Sequence, residues 1–274
     1  MPLPGALGSD LTVLASLLLK DGPRKVIPTP RRVRVIFNQT TIVDTTRAVW
    51  VWEHDYYPHF YIPSSELKNS TVRDKESIKG NASDGTVKAA IVELIVPERA
   101  GIPEKSTIRV LRFENDSSLG DLAGLVRLEF GAMDSWLEED IPIFVHPKDP
   151  FKRIDILPST RQVEVRIAGK TVAKSSFAQH LHETNLPVRY YLPLGSIDPA
   201  ILRRSTTVTS CPYKGDANYY DVVLDGKEYK DVVWYYNFPI QESLAIAGLV
   251  SFYNEKVEIL LDGKSLTQPV THFT

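Results

Sequence analysis

The sequence predicts a mainly β protein: two tandem copies of one small antiparallel domain, behind a short N-terminal helix. Three observations carry that expectation: an internal repeat, period-two alternation of apolar residues, and turn dipeptides between the runs. The repeat emerges when "RRVRVIFNQTTIVDTTRAVWVWEHDYYPHFYIPSSEL", from Arg31, is set above "RQVEVRIAGKTVAKSSFAQHLHETNLPVRYYLPLGSI", from Arg161. The two align without a gap, pairing Val33 with Val163, Val35 with Val165, Glu53 with Glu183, Tyr61 with Tyr191 and Pro63 with Pro193. Further on the spacing drifts. "SIKGNA" (Ser77 to Ala82) matches "PYKGDA" (Pro212 to Ala217), and "LAGLV" (Leu122 to Val126) matches "IAGLV" (Ile246 to Val250). Matches kept in one order over this length mean duplication.

The elements follow in order. Leu11 to Leu19 is an apolar run that Ser9 or Asp10 would cap as a helix and Gly22-Pro23 would stop. It is shorter than the roughly 18–20 residues of a membrane span. It also lacks a basic stretch before it and a small-residue cleavage site after it, so a docking helix is expected rather than a targeting peptide. Val33, Val35 and Phe37 alternate with other residues, as do Val163, Val165 and Ile167, which reads as paired half-buried strands. Ala168-Gly169-Lys170 signals a turn, and "YYDVVLDGKEYKDVVWYY" reads as a hairpin turning at Asp225-Gly226. "VEILLDG" reads as a closing strand, and "ESLAIAGLV" as at most one helical turn. The prolines of "IPIFVHPKDPFKRIDILPST" disfavour helix and central strand, so an extended connector is expected there. The expected organisation is helix and arm over 1–30, a first β domain over 31–145, a linker over 146–160 and a second β domain over 161–274.

Composition excludes several classes. A formal net charge of −2 gives no basic footprint for nucleic acid. The single cysteine, Cys211, rules out an intrachain disulfide and argues against a closed zinc site. It also fits a reducing compartment, so a cytoplasmic location is expected.

The candidate chemistry lies in the second copy, in two segments. On a strand, "HLHETNLPVRYYLP" puts His180, His182 and Thr184 on one face, with Leu181 and Glu183 on the other. The histidines stand where the first copy has Trp50 and Trp52, so a packing exchange is favoured over an i, i+2 metal pair. Glu183, acidic in both copies, reads either as a general base or as a structural carboxylate bonding turn amides or Arg189. "TSCPYKGDANYY" places Cys211, Tyr213 and Lys214 together, with Pro212 and Gly215 bracketing a tight backbone. Lys214 reads as a binder of an anionic group or a Schiff-base amine, against a solvated turn lysine; Lys79 is its expected counterpart. Cys211 reads as inert rather than nucleophilic. Tyr191, Tyr213, Tyr219, Trp234 and Tyr236 read either as pocket lining or as cross-strand packing. The first copy has Ile78 in place of the tyrosine and carries the acidic "AMDSWLEED" around Trp136, read as a solvated strand end; it is expected to be a degenerate copy serving as scaffold or interface.

These same stretches carry a family resemblance. "EHDYYPHFYIP", "HETNLPVRYYLP", "CPYKGDANYY", "WYYNFP", "IAGLVSFYNEKVEILLDG" and "HPKDPFKRIDILPSTRQV" together resemble the domain of unknown function 427 family in its tandem form, from about Gly22 to the end. The resemblance implies a β-tent-like small antiparallel barrel or sandwich in each copy. Similar folds often hold zinc between two cysteine pairs; this chain lacks those cysteines, so no metal is carried over. The family is sometimes labelled nucleotidyltransferase. Nucleotidyl transfer needs paired acidic metal ligands and a glycine-rich or basic phosphate cradle, and the sequence offers no Asp-x-Asp strand and no P-loop.

The functional expectation is a cofactor-independent enzyme acting on a small organic molecule. Glu183, Lys214 and Tyr213 would be catalytic, and Arg189, Tyr191, Cys211, Tyr219, Trp234 and Tyr236 would bind substrate. Cyclisation, lactone formation or a related acyl or proton-transfer step asks for little more. The alternatives are a non-catalytic small-molecule binding module and a structural or interaction protein. The partners expected are a small molecule and a second copy in a homodimer, with neither nucleic acid nor membrane.

Overall fold

A computed structural model describes residues 10–80 and 85–271. The chain divides into two compact units, Met1–Asp149 and Pro150–Thr274. Unit one holds helix α1 (Leu11–Asp21) and strands β1 (Lys25–Pro28), β2 (Val33–Phe37), β3 (Thr40–Thr45), β4 (Val49–Trp52), β5 (His59–Pro63), β6 (Thr71–Lys79), β7 (Val87–Val96), β8 (Lys105–Phe113), β9 (Leu125–Leu128), β10 (Ser135–Glu138) and β11 (Ile141–Ile143). Unit two holds β12 (Ile154–Ser159), β13 (Val163–Ile167), β14 (Lys170–Ser175), β15 (Ala178–Glu183), β16 (Arg189–Pro193), β17 (Leu202–Cys211), β18 (Gly215–Leu224), β19 (Lys227–Tyr236), β20 (Leu249–Phe252), β21 (Glu258–Leu261) and β22 (Lys264–Ser265).

Strand order makes the duplication explicit. The large sheet of unit one runs β1-β4-β5-β9-β8-β7-β6, and that of unit two runs β12-β15-β16-β20-β19-β18-β17. The small sheets run β11-β10-β2-β3 and β14-β13-β21-β22, the same four positions read from opposite ends. All their named pairings are antiparallel, and neither large sheet closes into a barrel, since β1, β6, β12 and β17 remain edges.

Alternation builds the cores. Val33, Val35 and Phe37 of β2 point inward with Trp50, Trp52, Phe60 and Trp136. Val163, Val165 and Ile167 of β13 do the same with Tyr190, Leu192, Val233 and Phe252. Trp136, read as part of an acidic strand end, is therefore a core residue; its neighbour Glu138 pairs with Arg31. His180 takes the place of Trp50 on the inner face and packs edge-on against Tyr190, with ring centroids 4.8 Å apart, while His182 is exposed.

The outer faces of the two large sheets differ. Over unit one lies α1, capped by Asp10, whose Oδ1 accepts from the amides of Thr12 and Val13, and ended by Gly22 at φ 71°. Leu11, Leu14, Ala15 and Leu18 bury against Val51, Ile78, Ala89, Leu111 and Phe113. Ser9, the other expected cap, lies outside the described residues. No helix among the described residues is long and apolar enough to cross a membrane. In unit two the same face carries Leu181, Tyr191, Ala217, Tyr219, Trp234 and Tyr236, packed with Ile246 of the short 3-10 turn Gln241–Ile246.

Two expected connectors are strands. Residues 154–159 of the expected linker form β12, paired with β15 along its whole length. Lys25–Pro28 of the expected arm forms β1 on β4. Each is an edge strand, where a proline costs the sheet no interior hydrogen bond, so Pro28 and Pro158 are tolerated. The hairpin at Asp225-Gly226 is as expected, with φ of 52° and 77°.

Candidate functional site

The end of β15 sets the site. β15 puts Leu181 on the outer face with Tyr191 and Trp234, and Glu183 follows on that same face, with its side chain 5% exposed. Two lysines meet it from distant parts of the chain. Lys214 Nζ donates to Oε2 at 2.5 Å, and Lys152 Nζ lies 3.0 Å from Oε1. Burial works to raise the Glu183 pKa, but the charges and hydrogen bonds of Lys214 and Lys152 overcome it and hold the carboxyl below its usual range. Glu183 is thus ionised, and the three side chains together carry one excess positive charge.

The turn bearing Lys214 is rigid for local reasons. Its amide donates to Cys211 O at 3.3 Å and its carbonyl accepts from Ile240 N at 3.1 Å. Gly215 sits at φ 96°, a conformation that favours glycine, and a Cβ there would also crowd Phe238 O at 3.3 Å. Tyr213 is buried, its carbonyl accepts from Ser243 Oγ at 3.0 Å, and Lys152 Nζ lies 5.2 Å from its ring centroid. Cys211 is half-buried in the same hairpin.

The remaining expected site residues form an adjoining layer. Trp234 Nε1 donates to the Tyr191 hydroxyl at 3.0 Å. Tyr219 shares a hydrogen bond with Thr209 Oγ1 at 2.7 Å and lies 3.4 Å from the Tyr253 hydroxyl. Burial raises the pKa of Tyr191 and of Tyr236, so both phenols stay protonated. Arg189 departs from expectation. It forms a two-pronged pair with Glu255, both bonds 2.7 Å, and its guanidinium carbon lies 5.4 Å from the Trp234 ring centroid. Arg189 therefore braces the layer from behind, and Lys152, absent from the expected set, takes the place beside Glu183. A shallow cleft of about 260 Å³ reaches Glu183, lined also by Arg153, Asp155, His182 and Thr184.

The sheet registers explain why the two copies differ. In unit one Tyr61 stands opposite Arg127, which stands opposite Leu111; in unit two the series is Tyr191, Ser251, Trp234. Arg127 donates from Nε to Glu53 Oε1 at 2.5 Å, and the Tyr61 hydroxyl donates to the same oxygen at 3.1 Å. Small Ser251 leaves the Trp234 indole room to reach Tyr191, and Glu183, without an arginine, is neutralised by Lys152 and Lys214. The carboxylate position is kept while its cations come from the segment before β12 and from the β17–β18 turn.

The registers also correct two expected matches. Ile78 pairs with Ala89 and Thr209 with Ala217, and these alanines stand opposite Phe113 and Tyr236. Ile78 therefore answers to Thr209, not Tyr213. Lys79 is an exposed residue at the end of β6, not the counterpart of the Lys214 turn. The Asn81 and Ala82 part of that match lies outside the described residues.

Unit one, read as scaffold or interface, also holds a polar cluster. Around Glu53 and Arg127, both almost fully buried, gather His59, with Nε2 3.6 Å from Glu53 Oε2, and His54, Tyr57 and His146. His54 and Tyr57 meet edge to face at 4.5 Å, and Tyr57 stacks on His146 at 3.8 Å. Burial pushes His59 down to about 3 and lowers His54 as well, so both rings are neutral. The signal was present in "EHDYYPHFYIP", whose residues crowd the turn between β4 and β5.

Comparison with known proteins agrees with this duplicated architecture. No curated protein matches the chain. The family described as Domain of unknown function (DUF427) matches twice, over residues 25–96 and 155–263, one segment in each unit. The two segments cover more than half of the sequence, and the chain belongs to the DUF427 family.

Proposed function

We propose that unit two is a cofactor-independent enzyme domain that binds a small organic molecule through an anionic oxygen and moves a proton on it. The observation that carries the reading is the Lys152–Glu183–Lys214 triad, a desolvated ion group with one positive charge to spare. A ligand carboxylate or enolate competes with Glu183 for the lysines. As a lysine turns to the ligand, Glu183 loses the charge that depresses its pKa, while burial continues to raise it. Ligand binding thereby makes Glu183 a stronger base at the moment a proton is to be removed. Tyr213 and Cys211 flank the same turn and shape the apolar side of the site. Cyclisation and lactone formation belong to this class; in the latter a ligand hydroxyl gives up its proton, its oxygen bonds the carboxyl carbon, and the displaced carboxyl oxygen leaves as water.

The test uses the full chain and a panel of small keto acids, followed by ligand-observed NMR and by hydrogen–deuterium exchange next to the keto group. Binding should be saturable in the parent, lost in Lys214→Met and tighter in Glu183→Gln, where the competing carboxylate is gone. Exchange should vanish in Glu183→Gln. Binding indifferent to Lys214→Met would overturn the site, and binding without exchange would leave unit two as a binding module.

A further inference from the structure

The cluster of unit one is chemically unlike the triad of unit two. Glu53 and Arg127 cancel each other's charge, and the histidines beside them are neutral. Two buried donors nonetheless lack a protein partner. Arg127, 2% exposed, spends Nε and Nη2 on Glu53 and leaves Nη1 unpaired. His54, 6% exposed, accepts the Tyr56 amide at Nδ1, at 3.3 Å, so its proton resides on Nε2, which is also unpaired. Leaving a buried donor unpaired costs about 1–3 kcal/mol, more for a charged group, so two in one cluster point to an acceptor.

We infer that unit one carries a second small-molecule site, for a neutral carbonyl compound whose oxygen accepts from Arg127 Nη1 and His54 Nε2. Neutrality follows from the charges. A ligand carboxylate would meet the Glu53 carboxylate with no spare cation, whereas a ketone, ester or lactone oxygen takes both donors and adds no charge. Around the two donors stand the rings of Tyr57, His59 and His146, packed on one another. Tyr57 and His146 are half-buried while His54 is buried, so the stacked pair is the outer layer of the cluster. The two units would thus bind ligands of different charge at one position of a duplicated fold.

The test is a long-range 1H–15N NMR spectrum of the histidine rings in the full chain, titrated separately with cyclopentanone, γ-butyrolactone and acetate. The two neutral carbonyl compounds should shift the His54 Nε2 signal saturably, and acetate should not. In His54→Phe, whose melting curve checks folding, their affinity should fall about tenfold or more. Lys214→Met should leave it unchanged, which separates this site from the one in unit two. A response to acetate alone would overturn the charge argument. No saturable shift with any probe would show that water satisfies the two donors, and would overturn the site.

Discussion

Acid should loosen unit one before its carboxylates begin to titrate, because His59 is folded in as a neutral ring. Its pKa falls from the ordinary 6.5 to about 3, with burial the dominant cause, the Arg127 charge adding to it and Glu53 opposing it. A group depressed in this way contributes stability that is fully present above 6.5 and is lost as pH falls towards the folded value. At pH 5 the linkage amounts to about 2 kcal/mol, and His54, lowered for the same first reason, adds in the same direction. Glu53 and Glu183 are themselves depressed carboxylates, and their contribution is lost only below the usual carboxylate range, so the window from pH 6.5 to 5 isolates the histidines. Denaturant unfolding followed by tryptophan fluorescence suits the test, because Trp50, Trp52 and Trp136 report unit one and Trp234 alone reports unit two. The unit-one transition should weaken by about 2 kcal/mol between pH 7 and pH 5. In His59→Gln the slope should flatten to the smaller His54 contribution. An unchanged slope in the variant would refute the assignment.

Two further substitutions probe the frame around Glu183. Gly215→Ala meets both a positive φ and the Phe238 carbonyl, so it should cost about 1–3 kcal/mol of unit-two stability by thermal unfolding. It should also displace the Lys214 turn, read as weaker keto-acid binding. Glu255→Gln removes the negative charge paired with the buried Arg189 guanidinium, which lies over Trp234, and should cost about 3 kcal/mol or more. Glu255→Gln with Arg189→Met should recover part of that loss, measured by the same unfolding curve.

Much of the architecture was legible because duplication doubles every signal. The alternation at Val33, Val35 and Phe37 has its echo at Val163, Val165 and Ile167, and both sets form cores. What the sequence hid were relations between distant segments. Lys152 reaches Glu183 only because β12 pairs Ile154 with Glu183, and the prolines around it made that segment read as a connector. Arg189 looked like a ligand cation since Glu255 lies a whole sheet away along the chain. The Lys79–Lys214 match was a coincidence of short strings, because the β6–β7 connection is longer than the three-residue β17–β18 turn. The polar cluster of the first copy is missed when that copy is judged by residues of the second. Its arginine comes from β9, where the second copy has Ser251, and a comparison anchored on Tyr213 and Lys214 never weighs that position.

The triad's electrostatics are open to one direct measurement, the 13C-carboxyl NMR titration of Glu183 in the full chain, alone and with a saturating keto acid. Alone, Glu183 should titrate below the ordinary glutamate value, rising in Lys214→Met and rising again when the ligand takes a lysine. A carboxyl that titrates at or above its ordinary value in the free protein, or that ignores both the variant and the ligand, would contradict the account.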